Sequence, residues 1–139
     1  MAAIGTRSLT LSLDGSDITA EVSACTIKSA ETDSDFVSFA MAAAGGGRDY
    51  VLGLTFVQDA EADSVWDQIW SHAGESVPIV IRPYGNSVAS ITEPHFEATA
   101  IISEPDGEIL GGEADASPTN RFTTEVEWAL QSKPTKVTT

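Results

Sequence analysis

The sequence predicts a mainly β domain: two antiparallel sheets packed as a sandwich or partly closed barrel, with one flanking α-helix at about residues 60–73. Three observations carry this expectation. Apolar and polar residues alternate with a period of two in most of the regular segments. One segment alone has the 3.6-residue period of an amphipathic helix. Turn residues such as Asp14-Gly15, Pro105-Asp106-Gly107 and Gly111-Gly112 separate the alternating runs.

Residues 7–13 place Leu9, Leu11 and Leu13 on one face and Ser8, Thr10 and Ser12 on the other, a half-buried strand. After the turn at Asp14-Gly15-Ser16-Asp17, apolar residues fall on the even positions Ala20, Val22 and Ala24. They then shift to the odd positions Cys25 and Ile27, so a bulge or change of partner is expected near Ala24. Residues 29–48 read as a long loop that runs into Gly45-Gly46-Gly47. Phe36, Val37, Phe39 and Met41 make it too apolar for a linker, which points to ordering against a partner chain.

Residues 50–58 return to a strand with Leu52, Leu54 and Phe56 on its core face. The helical stripe follows: Ala62, Val65, Trp66, Ile69, Trp70 and Ala73, with Val65, Trp66, Ile69 and Trp70 as the core face. Asp59 is the expected N-cap, Glu61 and Asp63 suit the positive end of the dipole, and Gly74 is placed to end the helix. Further strands are expected at 77–82, 96–103 and 122–130. The last puts Phe122, Thr124, Val126, Trp128 and Leu130 on one face, and Thr123, Glu125 and Glu127 on the other. A second loop spans 104–120, and 131–139 reads as a polar tail on a single domain of residues 1–130.

Seven Lys and Arg against 21 Asp and Glu give a formal charge of −14, which excludes an ordinary nucleic-acid binder because phosphate recognition needs clustered cations. The N-terminus lacks a basic region followed by an apolar stretch, and no run approaches about 18 apolar residues. Neither a signal peptide nor a membrane span is expected. The lone Cys25 forbids an intramolecular disulfide and reads as a small buried hydrophobe.

The sequence offers no catalytic motif. His72 and His95 read as helix-terminal or surface residues, no serine stands in a nucleophile elbow, and the triple glycine precedes a strand rather than a phosphate-binding helix. Acidic groups at Asp14 and Asp17, at Asp33 and Asp35, and at 104–108 lack the ligand spacing of a calcium loop. The residues alone thus point to a non-enzymatic β module for assembly or binding, with no cofactor and no metal.

The run LGLTFVQDAEADSVWDQIWSHAGESVPIVIRP at 52–83 resembles the middle of the major tail tube proteins of long-tailed, siphovirus-type bacteriophages, especially those infecting actinobacteria. PHFEATAIISEPDGEILGGEAD at 94–115 and RFTTEVEWALQSKPTKVTT at 121–139 are similar to the same family. The resemblance covers most of residues 7–136 and rests on the order and spacing of segments. It implies a tail-tube fold, six copies to a ring, and rings stacked into a hollow tube in the virion tail, assembled in the host bacterial cytoplasm. Genomic DNA would pass through without specific binding and without a membrane partner. The tail tip or baseplate, tape-measure and terminator proteins would be the other partners.

Under that resemblance Glu125 and Glu127, then Glu21 and Glu97, are the lumen-facing candidates. Asp33, Asp35, Phe36, Phe39, Met41 and Gly45, Gly46 and Gly47 belong to a loop that joins successive rings. Four strands from each of six copies would give about 24 strands and a backbone circle roughly 50 Å across, at about 4.8 Å spacing and about 40° tilt. An acidic bore would repel phosphate, and the same charge would keep free subunits apart before assembly. The alternative reading is a monomeric, non-catalytic β-sandwich module that binds a carbohydrate or a protein.

Overall fold

A computed structural model of the chain describes residues 3–31, 36–43 and 48–139. Among the described residues, eight strands form two antiparallel sheets. They are β1 (Thr10–Leu13), β2 (Ser16–Asp17), β3 (Val22–Glu31), β4 (Arg48–Val57), β5 (Ser76–Arg82), β6 (His95–Ile101), β7 (Thr123–Ala129) and β8 (Thr135–Val137). One sheet has the order β2-β1-β5-β6-β8 and the other β3-β4-β7. A five-residue helix, α1 (Phe39–Ala43), lies between β3 and β4, and the longer α2 (Val65–His72) lies between β4 and β5. The two-sheet, mainly β architecture with a flanking helix matches the expectation from alternation.

Alternation places one face of each sheet in a shared core. Leu11 and Leu13 of β1, Ile79 and Ile81 of β5 and Ala100 of β6 meet Leu52, Leu54 and Phe56 of β4 and Val126 and Trp128 of β7, all buried. Trp128 and Phe56 are the largest fully buried side chains, and the Trp128 indole N–H donates to the Ser103 carbonyl at 3.0 Å. That bond removes the cost of burying an unpaired indole N–H. Phe122, placed on this face by its spacing, is 47% exposed, because β7 begins only at Thr123.

Among the described residues, backbone hydrogen bonds join the sheets along the β7 side. Where β7 ends, the Leu130 amide donates to Tyr50 of β4 (2.9 Å) and the Gln131 amide to Thr99 of β6 (3.0 Å), so the chain steps from one sheet to the other. The tail expected at 131–139 then forms β8 on the edge of β6, with Thr135 opposite Glu97 and Val137 opposite His95. A three-residue edge strand carries too little apolar periodicity to be visible in a sequence. On the opposite side β3 is, among the described residues, hydrogen-bonded to β4 alone, and its register slips between Val22 and Ala24, where the change of phase placed a bulge.

The N-cap of helix α2 is Ser64, five residues after the expected Asp59. Asp59 accepts from the Glu61 amide instead, forming a local turn, and Ser64 caps the helix by accepting from the Asp67 amide at 3.1 Å. Asp67 in turn accepts from the Asp63 amide (3.3 Å), one residue before the cap, while the Ser64 amide donates to the Glu61 carbonyl (3.2 Å), so the pair differs from a capping box. Gly74 follows the helix at φ +95, a conformation that favours glycine, and its amide donates to the Ile102 carbonyl at 2.7 Å.

The helix buries a narrower stripe than its six apolar positions imply. Val65 and Ile69 are fully buried and Trp66 partly, but Trp70 is 56% exposed. At about 100° per residue, Trp70 stands about 140° around the helix from Val65, outside the arc that faces the sheet. It stacks on Trp66 instead, with ring centroids 5.3 Å apart.

Truncation should separate the two tryptophans. Trp128→Ala is expected to cost about 3–5 kcal/mol of unfolding free energy, and Trp70→Ala less than about 1.5 kcal/mol, read from urea unfolding midpoints.

Candidate functional site

The outer face of the three-stranded sheet carries the strongest of the lumen candidates. Register pairs Glu125 with Thr55 and Glu127 with Gly53, while Ala24 and Thr26 of β3 stand across the same β4 residues. Small side chains make this face a shallow trough. A Cβ on Gly53 would lie 2.9 Å from the Thr26 Oγ1, so that close approach requires glycine or a shift of Thr26. Residues 103–106 wall one side, and the Ser103 hydroxyl donates to the Glu127 carbonyl at 3.1 Å; the enclosed volume is about 540 Å³.

One cation faces the carboxylates of this trough. Lys28 Nζ donates to Glu127 Oε1 at 2.8 Å, with both side chains mostly in solvent. Lys28 is held above its ordinary pKa by that hydrogen bond first and by the charges of Glu127 and Glu125 after it. Glu125, Glu104 and Asp106 line the trough as well, so it is acidic. Solvent and salt screen such a pair, so it gives the face its sign rather than the fold its stability.

The four lumen candidates do not share a surface. Glu125 and Glu127 are on the outer face of β7, whereas Glu97 of β6 points from the outer face of the five-stranded sheet, across the core from them. Glu21 belongs to neither face. It ends a 3₁₀ turn, Thr19–Glu21, and its carboxylate accepts from the Val65 amide at the start of α2 (3.1 Å). Reading Glu21 as a strand residue of polar phase misplaced it, because the strand begins one residue later.

Glu21 is accordingly a helix-terminal carboxylate. Burial raises its pKa above the ordinary 4.5, and the Val65 hydrogen bond opposes that rise only in part.

Of the loop residues, Phe36 is 73% and Phe39 97% exposed, with Phe39 opening α1. Asp33, Asp35, Gly45, Gly46 and Gly47, and the side chain of Met41, lie outside the described residues. His95, expected at a surface, is buried beneath the 83–94 turn, with Nε2 2.9 Å from the Asn86 carbonyl. His72 pairs with Glu75 after the helix.

Gln58 was not singled out by its sequence context, yet it anchors the second long loop. Its side-chain amide donates to the Gly111 carbonyl (3.2 Å) and accepts from the Gly111 amide (2.7 Å). The Trp66 indole donates to the Ile109 carbonyl nearby at 2.8 Å. Among the described residues no group of three or more His, Cys, Asp and Glu is placed to hold a metal ion. No protein-family model matches the chain, and no curated protein matches it.

The raised pKa of Glu21 gives a pH test with a definite sign. The folded state binds this proton more tightly than the unfolded chain, so stability falls as pH rises through the interval above 4.5 and the penalty is complete above the folded pKa. Glu21→Gln keeps an acceptor for Val65 and removes the charge. Its stability relative to the wild type should therefore be higher at pH 7 than at pH 4.5, measured by urea unfolding at both values.

Proposed function

We propose that this chain is the structural subunit of a phage tail tube, building stacked six-membered rings whose acidic lumen conducts genomic DNA into a host. The observation that carries the reading is a well-packed body with two surfaces that call for another chain. The ten-residue β3 is an edge strand paired on one side only, and an apolar arm at 36–43 exposes Phe39 and Val37. A long uncovered edge is a template for strand addition, and clustered exposed apolar side chains mark an interaction site.

The resemblance of 52–83, 94–115 and 121–139 to tail tube proteins gives this self-association its biological form. Within it, the trough with Glu125 and Glu127 is the surface suited to a lumen, since small and acidic side chains offer phosphate no cation to rest on except the neutralised Lys28. Glu97 then faces outward and Glu21 serves the fold. Three strands per copy would close a backbone circle only about 36 Å across, too tight once side chains are subtracted for a duplex to pass freely. The 103–106 segment lies beside β7 on this face, so a six-copy bore of sufficient width would be lined by that segment together with the three strands. Tail tip, tape-measure and terminator proteins are the partners this role implies.

Negative-stain microscopy of the purified, concentrated protein tests the proposal: stacked rings or tubes are expected, and strictly monomeric particles would overturn it. Deleting residues 33–44 should abolish tubes while leaving the far-ultraviolet circular dichroism of a β protein. Tubes formed by the deletion protein would refute the role given to the arm.

A further inference from the structure

The side of the sandwich beneath β3 opens into an apolar cleft of about 430 Å³ between the sheets. Leu9, Ile81 and Phe96 line it from the wider sheet, and Cys25, Ile27 and Tyr50 from the narrower one. The volume lies in the range that admits a small organic group and is ample for a phenyl ring. The cleft's border is unusual for so acidic a chain. Of seven cationic residues, three adjoin it. Lys133 lines it, Arg48 donates from Nε to the lining Ser29 hydroxyl at 3.1 Å, and Lys136 is in register with the lining Phe96.

The same chain carries a segment of matching character. Glu31 ends β3, acidic residues 33 and 35 follow in the sequence, and then come Phe36-Val37-Ser38-Phe39. Phe39 is 97% and Val37 59% exposed, so the chain's own cleft does not hold them. An acid-flanked apolar arm and a cation-bordered apolar cleft are complementary in both charge and hydrophobicity. Because they are different surfaces of one molecule, pairing them between molecules is head-to-tail and propagates into rings or filaments.

We propose that the cleft between Cys25, Ile27, Tyr50 and Phe96 is the receptor for the 36–43 arm of a second copy, with Phe39 as its anchor. This inference rests on the tube-subunit reading and gives it a specific joint. Phe39 leaves solvent for a pocket lined by apolar side chains, the contact type that dominates interface energetics. Lys133 and Lys136 at the border of the cleft favour an arm that follows an acidic stretch of sequence, which makes the joint weaken with salt.

Cys25 allows a direct test, since it is the only cysteine and lines the cleft. In Ala40→Cys, which keeps the Phe39 anchor and alters an exposed neighbour, oxidation by copper phenanthroline should join Cys25 of one copy to the new thiol of the next, producing a ladder of multimers on non-reducing gels. Burial pushes the Cys25 thiol up to about 11, so the reaction is run at alkaline pH. Ser117→Cys, in the exposed second loop, should give no ladder. Phe39→Ala should raise the concentration needed for assembly at least about tenfold by sedimentation, with unchanged circular dichroism.

Wild-type tubes together with an absent Ala40→Cys ladder, an equal ladder from Ser117→Cys, or an unchanged assembly concentration for Phe39→Ala would overturn the joint while leaving the tube reading intact. A disulfide confined to monomers would place the arm in its own cleft and also overturn it. Absence of any wild-type assembly would remove the tube reading, and the joint with it.

Discussion

The two sheets differ in width, five strands against three, and are stitched together along one side by the step from β7 to β8. Most of the surface chemistry follows from that mismatch. Core side chains close the middle of the sandwich, where Trp128 and Phe56 fill the space between the sheets. Toward β3 the narrower sheet runs out of covering, so inward-facing positions there remain reachable. Cys25 is only partly buried and Ile27 is 36% exposed, although both point to the same side of the sheet as the buried Leu52 and Leu54.

Charge is distributed with the same asymmetry. The trough on the outside of the narrow sheet holds Glu125, Glu127, Glu104 and Asp106 against a single lysine. The open side between the sheets holds Arg48 and Lys133. A molecule with so large a net negative charge repels its copies at long range, and local cations at one border offer an oriented exception. Ionic strength therefore acts on two opposed quantities, the general repulsion and the specific attraction.

Alternation made much of the fold legible. Leu52, Leu54 and Phe56, and Thr124, Val126, Trp128 and Leu130, are buried as their period requires, and the slip of phase after Ala24 marked the bulge. What escaped notice depends on contacts between distant segments. Ser64 takes the cap from Asp59 because its hydroxyl reaches the Asp67 amide. Trp70 leaves the buried stripe because the sheet covers only the arc around Val65 and Ile69. Glu21 and Gln58 are held by Val65 and Gly111, 44 and 53 positions away, which no local pattern encodes. At the site, alternation alone puts Glu125 and Glu127 on the polar phase, whereas the separation of Glu97 from them depends on which strands share a sheet.

The bulge in β3 limits how this chain can change in length. Val22 stands opposite Phe56 and Ala24 opposite Thr55, so Ser23 is the extra residue that resets the side-chain phase of the eight positions after it. Removing one residue here would turn Thr26 and Lys28 toward the cleft and Cys25 and Ile27 toward the trough, reversing the chemistry of both surfaces at once. Residues gained or lost beyond Glu31, between the paired halves of the hairpin, would leave that phase untouched. Descendants of this sequence are therefore free to lengthen the arm, but a single-codon deletion at the foot of the strand would exchange its two faces.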